Sequence, residues 1–312
     1  MQDAICLTNV SKDYPGIKAL KNVTFSVKKG SIHGFLGPNG AGKTSALKIM
    51  AGLLPPSEGK IEILGLDPKK AKERVGFLPE TPPLYHNMLV RDYLEFVASI
   101  NGVSRTRLKD ALAETLKKCS LESVKDRLIG NLSKGFKQRV GIAQALIHCP
   151  ELVILDEPTV GLDPVAIQDI RDLILSLGKE RTVLFSSHQL YEVGLLCEEI
   201  TVINKGEIIH TGPIAEIQKK LQTGQSLKIE LSNWRPELKE ELLRTFAIES
   251  LALSQGKEGM ILNVVAKKQE DLRQSLSLFL IQKGCQLYSL VEEKMELEEI
   301  FNHLTNSSLE AK

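Results

Sequence analysis

The chain has 312 residues, of which 42% are hydrophobic, and its 40 lysines and arginines stand against 39 aspartates and glutamates. This length and composition allow a substantial buried core and favour one large domain with a smaller one over a single small module. Because its formal net charge is only +1, the chain does not bind nucleic acid or an anionic lipid surface through overall charge. Any partner must therefore be recognised through local sites.

The five cysteines lie far apart and include no C-x-x-C pair, which argues against a zinc site or a redox motif. We expect reduced, mostly buried thiols in a cytosolic protein. The first residues lack a basic region followed by an apolar stretch, and no apolar run approaches the roughly 18 residues that span a bilayer. We therefore expect a chain that neither enters the secretory route nor crosses a membrane unaided.

From Ile5 to Gly212, short β-branched runs alternate with longer amphipathic stretches, which is typical of a mostly parallel α/β domain. The predicted strands cover residues 31–37, 74–79, 151–156, 181–187 and 199–204. Four of them contain continuous apolar stretches, as expected of strands that helices cover on both faces. Between Thr81 and Leu132 helical spacing replaces the strand pattern, and this predicts a helical insertion.

The last third of the chain has a different pattern. After Ile217 the polar segment KKLQTGQS is a plausible linker, and a second domain is predicted to start near Leu227. The order strand, helix, strand, strand, helix, strand predicts a small split-βαβ sandwich, closed by one further helix. No phosphate loop and no His or Cys cluster occurs in this tail, so we expect no chemistry there. Apolar residues at helical spacing are predicted to form its core: Leu276, Phe279, Leu280, Leu297, Ile300 and Phe301.

The segment from Gly37 to Thr44 reads GPNGAGKT and fits the phosphate-loop pattern G-x-x-x-x-G-K-[ST]. A predicted strand precedes it and a helical stretch follows it, which disfavours a loop that merely contains three glycines. Glycines let successive backbone N–H groups converge on phosphate oxygens, and the helix N-terminus adds partial positive charge. Lys43 would then reach the β- and γ-phosphates, and Thr44 would ligate Mg²⁺. The predicted nucleotide-binding residues of this loop are Gly37, Pro38, Asn39, Gly40, Ala41, Gly42, Lys43, Thr44 and Ser45.

Two adjacent acids, Asp156 and Glu157, end the apolar strand ELVILD. The end of a central strand beside a phosphate loop is where a metal-binding carboxylate belongs. Asp156 is predicted to bind the metal, and Glu157, which points to the other face, is predicted to polarise the attacking water. An acidic strand end that merely faces solvent is the alternative. The phosphate loop disfavours it, because that loop requires such a carboxylate.

The segment from Leu132 to Arg139 reads LSKGFKQR and is followed by helical residues. It resembles the signature motif of the ATP-binding cassette (ABC) family, commonly L-S-G-G-Q, which lies ahead of the metal-binding acid in that family. Ser133 is well suited to cap the helix, so that its hydroxyl and the Gly135 amide would present hydrogen-bond donors to an anion. A helix cap that binds no ligand is the alternative, and it is the better interpretation of an isolated L-S-x-G.

Other marks of the ABC family fall in the expected chain order. Tyr14 resembles the aromatic residue that stacks on adenine, Asp163 lies in a GLDP segment similar to the D-loop, and His188 matches the switch histidine that contacts the γ-phosphate. Taken singly, each has a structural alternative, namely a packing tyrosine, a turn and a structural histidine. Their joint order favours the family, and the resemblance covers residues 5–217.

Two motifs depart from the family pattern. Lys134 and Phe136 stand where glycine and glutamine are common in the signature, and Glu80 stands where the family usually has the Q-loop glutamine. Similar substitutions occur in cassettes that resemble bacterial exporters with short, separately encoded permeases. We therefore expect a functional site in which Glu80 takes part in nucleotide binding.

The resemblance implies an α/β fold: a P-loop NTPase core of the ABC type with an antiparallel β edge and a helical subdomain. The expected nucleotide-binding domain covers residues 1–220, with the helical subdomain at 81–148. A small C-terminal α+β domain of the ferredoxin-like type is expected at 227–312. The resemblance further implies an ATPase that uses ATP and Mg²⁺, with Lys43, Glu157 and His188 as catalytic residues and Thr44 and Asp156 as metal ligands.

In the ABC family ATP is held between two cassettes, and this chain has one phosphate loop and one signature. The expected partners are therefore a second cassette, as a homodimer, and an integral-membrane permease that holds the chain at the inner face of the cell membrane. Resemblance of the segments EEITVINKGEI (198–208) and GPIAEI (212–217), and of the added C-terminal sandwich, to exporter cassettes favours export. Nucleic acid is not expected as a partner, given the near-neutral charge.

A soluble mechanochemical ATPase of the ABC type, acting on ribosomes or DNA, is the alternative function. The chain has neither the two cassettes usual in the translation type nor the long coiled coil of the DNA-repair type. A pure binding module without turnover would require Glu157 or His188 to be idle, and nothing in the sequence indicates that.

Overall fold

A computed structural model of the chain describes residues 3–216, 226–256, 259–267 and 271–292. The chain divides into two compact units, Met1–Ile214 and Ala215–Lys312. The first unit contains nine strands and seven α-helices within its described residues. In chain order these are β1 (Asp3–Tyr14), β2 (Ile17–Lys28), β3 (Ile32–Leu36), α1 (Lys43–Met50), β4 (Glu58–Ile63), α2 (Pro68–Ala71), β5 (Val75–Leu78), α3 (Val90–Ile100), α4 (Arg105–Lys118), α5 (Lys134–Leu146), β6 (Leu152–Leu155), α6 (Pro164–Gly178), β7 (Thr182–Ser187), α7 (Leu190–Leu196), β8 (Glu199–Asn204) and β9 (Glu207–Pro213).

The main sheet of the first unit has six strands in the order β5-β6-β7-β3-β8-β9. The first five strands are parallel, and only β9 pairs antiparallel, with β8. Every residue of β6 and β7 is buried, as the continuous apolar runs predict for strands covered on both faces. The predicted α/β architecture with parallel strands is therefore confirmed.

A second, three-stranded antiparallel sheet has the order β2-β1-β4, and this confirms the expected antiparallel edge. Helix α1 packs in one core cluster with residues of both sheets, including Leu47 on α1, Phe25 on β2 and Phe35 on β3. The rings of Phe25 and Phe35 stack with centroids 5.5 Å apart. This core fixes the start of α1 relative to the ends of the parallel strands, because close-packed interiors leave little room for a shift.

The helical insertion predicted between Thr81 and Leu132 is also confirmed, since α3 and α4 lie there. Helix α6, which lies outside this insertion, illustrates the sequence features that start a helix and bury one of its faces. Its N-cap Asp163 accepts a hydrogen bond from the Ala166 amide, Pro164 occupies the first turn, and its buried residues recur at helical spacing.

The described residues of the second unit contain four strands and two helices. They are β10 (Ser226–Ser232), α8 (Glu237–Thr245), β11 (Ile248–Gln255), β12 (Met260–Ala266), α9 (Arg273–Gln282) and β13 (Gln286–Glu292). All pairs are antiparallel, in the order β11-β12-β10-β13. This is the predicted split-βαβ arrangement.

The predicted core of the second unit is confirmed where the structure describes it. Leu276 and Leu280 are buried on α9, and the partly buried Phe279 packs edge-to-face on Phe246 with centroids 5.5 Å apart. The predicted linker KKLQTGQS lies outside the described residues except for its last residue, Ser226, which begins β10. The closing helix predicted around Leu297, Ile300 and Phe301 also lies outside the described residues.

The five cysteines are free thiols, and three of them are buried, Cys119, Cys197 and Cys285. Burial raises the pKa of Cys119 and of Cys197 to about 12, so these thiols stay protonated and unreactive. Among the described residues, no helix is both long enough and apolar enough to span a membrane.

Candidate functional site

The predicted phosphate loop connects the end of β3 to the start of α1. Gly42 adopts a φ of 105°, and a Cβ atom there would lie 2.5 Å from the carbonyl oxygen of Ala19. Only glycine can occupy this position, because the backbone is left-handed and the neighbouring chain is in direct contact. The amide of Gly206 donates to the carbonyl of Ala41, so the turn after β8 also braces the loop.

A cavity of about 650 Å³ opens in front of this loop. Gly37 and Ala41 of the loop do not line it. The predicted residues that do line it are Pro38, Asn39, Gly40, Gly42, Lys43, Thr44, Ser45, Glu80, Glu157 and His188. Three further lysines, Lys18, Lys21 and Lys205, also line the cavity. With Lys43, the cavity therefore holds four lysines against two carboxylates, a balance that suits an anionic ligand.

Lys43 lies at the centre of a buried charged cluster. Its ammonium group donates to the Gly37 carbonyl at 2.7 Å and lies 3.1 Å from Glu157 Oε1, with both side chains only 7% exposed. The other carboxylate oxygen of Glu157 lies 2.9 Å from His188 Nδ1. The structure thus brings together the three residues predicted to be catalytic, and Glu157 stands between a cation and an imidazole.

The backbone of Glu157 is left-handed, with a φ of 48°. Such a conformation is strained for a residue with a side chain, and strain of this kind concentrates at functional sites. The Glu157 amide donates to Ser186 Oγ at 2.9 Å. This contact connects the loop after β6 to the end of β7.

Asp156 precedes Glu157 and is completely buried. Its Oδ1 accepts a hydrogen bond from Ser186 Oγ at 2.7 Å, whereas its Oδ2 has no hydrogen-bond partner within the described ranges. Ser186 therefore orients both acids. No motif indicated Ser186, although it stands two residues before His188 in FSSHQL. The three extra lysines come from distant segments and carry no sequence signal.

Tyr14 and Glu80 lie at the margins of the site. Tyr14 is exposed at the tip of the β1–β2 hairpin, with its hydroxyl 3.4 Å from Ser45 Oγ, and it is not among the residues that line the cavity. Its ring lies under the Lys12 ammonium, 5.4 Å from the centroid. Glu80 is exposed and lines the cavity.

The signature and D-loop residues lie apart from this cavity, since Ser133, Gly135 and Asp163 do not line it. Ser133 caps α5, with its Oγ accepting from the Phe136 amide at 3.3 Å. A Cβ atom on Gly135 would lie 3.0 Å from Ala166 Cβ, which places the start of α5 against α6. One chain thus carries two separate groups of predicted nucleotide-binding residues.

Comparison with known proteins agrees with this fold and site. The family model described as "ABC transporter" matches residues 20–160. The bacitracin transport ATP-binding protein BcrA of Bacillus licheniformis is 40% identical over 226 residues, which are 70% of this chain and 73% of that protein. The linearmycin resistance ATP-binding protein LnrL of Bacillus subtilis is 32% identical over 311 residues, which are 96% of this chain and 98% of that protein.

A solved structure shows the same cassette fold. It is the dimeric post-hydrolysis state of an ATP-binding cassette bound to ADP and Pi, 27% identical with a TM-score of 0.62, and the match covers 67% of this chain and 98% of that one. The fold and the phosphate-loop site define an ATPase of the cassette class. The chain belongs to the ATP-binding proteins of ABC transporters. It is the transporter subunit that binds and hydrolyses ATP.

Proposed function

We propose that this chain drives export through a separate membrane permease, by closing two copies around ATP and reopening them after hydrolysis. The observation that carries the proposal is the Lys43–Glu157–His188 cluster in the cavity of the phosphate loop. A buried carboxylate beside the phosphate loop is placed to orient and deprotonate an attacking water, and catalysis of phosphoryl transfer depends mainly on positioning and charge.

Each member of the cluster has a proposed role in hydrolysis. Lys43 would move its positive charge from the Gly37 carbonyl and Glu157 to the β- and γ-phosphates. Glu157 would accept the proton of the attacking water, as a general base within hydrogen-bond reach of it. His188, which contacts Glu157 now, would orient that carboxylate and contact the γ-phosphate.

Mg²⁺ fits the residues present at the strand end. Asp156 is buried, and its Oδ2 has no hydrogen-bond partner in the part of the chain that the structure describes. An ionised carboxylate oxygen is costly to leave without a partner, and a hard cation is the partner it suits. Thr44 on the cavity wall is the second proposed ligand. Bound Mg²⁺ would neutralise charge that develops on the β- and γ-phosphates.

The remaining nucleotide contacts come from both groups of residues. The loop amides would hold the phosphates, Tyr14 beside Ser45 would stack on the adenine, and Glu80 would face the γ-phosphate end. Ser133, Gly135 and Asp163 do not line the cavity of their own chain. We therefore assign them to the nucleotide in the cavity of a second copy, so that two copies complete two sites.

The proposed domain roles follow the two units. Residues 1–220 would form the nucleotide-binding domain, with residues 81–148 as its helical subdomain facing the permease, and residues 227–312 would form an accessory domain. The permease would hold the chain at the inner face of the membrane, and nucleic acid is not a proposed partner. The export role rests on the transport of bacitracin and the resistance to linearmycin named for BcrA and LnrL.

Copurification tests this function directly. The tagged chain is isolated from detergent-solubilised membranes of its own source, and bound polypeptides are identified by mass spectrometry. We expect an integral-membrane polypeptide to copurify in constant ratio and to change the rate of ATP turnover. Recovery from the soluble fraction with ribosomes or DNA, and without a membrane polypeptide, would support a soluble mechanochemical ATPase instead.

A further inference from the structure

Glu192 is a buried carboxylate that the hydrolysis scheme above does not use. It lies in the first turn of α7 and is 3% exposed. Its Oε2 accepts a hydrogen bond from the Thr159 hydroxyl, and its Oε1 lies 3.5 Å from the guanidinium of Arg171 on α6. Because an ionised carboxylate is costly to bury without partners, these two contacts hold the start of α7 in place.

The contacts of Glu192 connect the same two segments that carry the catalytic pair. Thr159 follows Glu157 by two residues, and Glu192 follows His188 by four. Glu157 and His188 also touch, with 2.9 Å between Glu157 Oε2 and His188 Nδ1. The loop after β6 and the segment after β7 are therefore joined twice, once at the cavity and once behind it.

His188 lies on the segment that this second junction joins to the loop after β6. Its side chain is 38% exposed, and within the described ranges its only side-chain partner is Glu157. A half-exposed imidazole with one partner is not fixed by packing. Its location is instead set by the backbone, which enters α7 at Leu190, and the buried Leu190, Glu192 and Val193 hold this helix.

We propose that Glu192 is a positioning residue for ATP hydrolysis, which holds His188 against Glu157 through its hydrogen bond to Thr159. The inference rests on the proposed roles of Glu157 and His188. Thr159 also begins the loop that ends at Asp163, and Arg171 belongs to the helix that Asp163 caps. The carboxylate therefore connects His188 to the segment that we assign to the interface between two copies.

Thr159 and Glu192 variants of the full chain test this assignment. Thr159→Val removes the hydroxyl that Glu192 accepts from, Thr159→Ser restores it, and Glu192→Gln removes the charge that faces Arg171. We expect Thr159→Val and Glu192→Gln to lower kcat roughly tenfold through misplacement of His188, and Thr159→Ser to return it to near the wild-type value. The KM for ATP should change less than twofold, because neither residue lines the cavity.

A control removes a more exposed acid that is paired with arginine elsewhere in the first unit. Glu151, just before β6, accepts from Arg74 Nε at 2.7 Å. Glu151→Gln should leave kcat within twofold, because it breaks an ion pair without moving α7. A loss in this control equal to that in Glu192→Gln would overturn the assignment, since any lost ion pair would then have the same effect.

A double-mutant cycle with His188→Ala separates positioning from a general structural role. We expect Glu192→Gln to cause no further loss of turnover in the His188→Ala background. An equal tenfold loss there, or unchanged turnover in both Thr159→Val and Glu192→Gln, would overturn the assignment of Glu192 alone. Undiminished turnover in His188→Ala itself would instead contradict the proposed role of His188, and the Glu192 assignment with it.

Discussion

The two units of the chain differ in what they bury. In the described part of the chain, every buried polar or charged side chain belongs to the first unit, including Lys43, Asp156, Glu157 and Glu192. The buried side chains described in the second unit are aliphatic ones and Cys285. Buried charge costs stability unless it is paired, so a protein retains it where function requires it. The buried charges of the candidate site therefore all lie in the first unit, whereas the described core of the second unit is apolar.

Removal of the central cation should have the largest effect. Lys43→Ala should lower ATP turnover by about 10³-fold or more, because no other described group contacts both the phosphate loop and Glu157. Glu157 would also lose its cation, so we expect the free energy of unfolding to fall by about 1–3 kcal/mol. Steady-state phosphate release and circular dichroism measure both effects. Turnover near the wild-type rate in a folded variant would contradict the phosphate-loop assignment.

Acid should destabilise the first unit through His33. This side chain is completely buried on β3 beside Thr201, and burial lowers its pKa from 6.5 to about 4. The unfolded chain therefore binds a proton as the pH falls below 6.5, while the folded chain stays neutral until pH 4. Stability is complete above pH 6.5 and decreases towards pH 4, by roughly 2 kcal/mol at pH 5.

Urea unfolding at pH 7 and pH 5 tests the His33 prediction. Far-UV circular dichroism follows mainly the first unit, whereas fluorescence of Trp234, the one tryptophan of the chain, follows the second. His33→Gln should remove a large part of the pH dependence from the circular dichroism transition, and His148, whose pKa is also lowered by burial, should account for a remainder of the same sign. If the variant kept the full dependence, another group would be responsible.

The sequence predicted the chemical motifs better than it predicted the antiparallel sheet. The phosphate loop, Asp156, Glu157 and His188 lie in short local patterns at strand ends, and the structure brings Lys43, Glu157 and His188 together. Strands β1 and β2 were not named in advance. Asn9 and Asn22 adopt positive φ values there, and shifts of register interrupt the pairing. These bulges break the two-residue alternation by which a strand is recognised.

Tyr14 and Ser186 mark the limit of motif reasoning within the site. Tyr14 was expected to contact the nucleotide and lies beside Ser45, outside the lining of the cavity, so its stacking role remains a prediction. Ser186 orients both strand-end acids from a neighbouring strand. Such a contact depends on the pairing of β6 with β7, which local sequence spacing does not encode.

Removal of the second unit should have the smallest effect on nucleotide binding. Deletion of all residues after Gln222 should leave ATP affinity within about twofold, because the cavity is lined by residues of the first unit. Self-association or turnover should change if the accessory domain holds the two copies together or favours their opening. Fluorescent-nucleotide titration and sedimentation velocity measure these properties. Equal dimer affinity and equal turnover would leave permease contact as the remaining role.

We propose that ATP closes two copies of this chain and that hydrolysis by Glu157 reopens them. Glu157→Gln should retain ATP binding but slow hydrolysis by about 10²-fold or more, because the general base is lost. Gel filtration with multi-angle light scattering should then show a dimer with Mg-ATP and a monomer without it. Adding Ser133→Arg should abolish this dimer by blocking the surface assigned to the second copy. A Glu157→Gln protein that stays monomeric in saturating Mg-ATP would contradict the account.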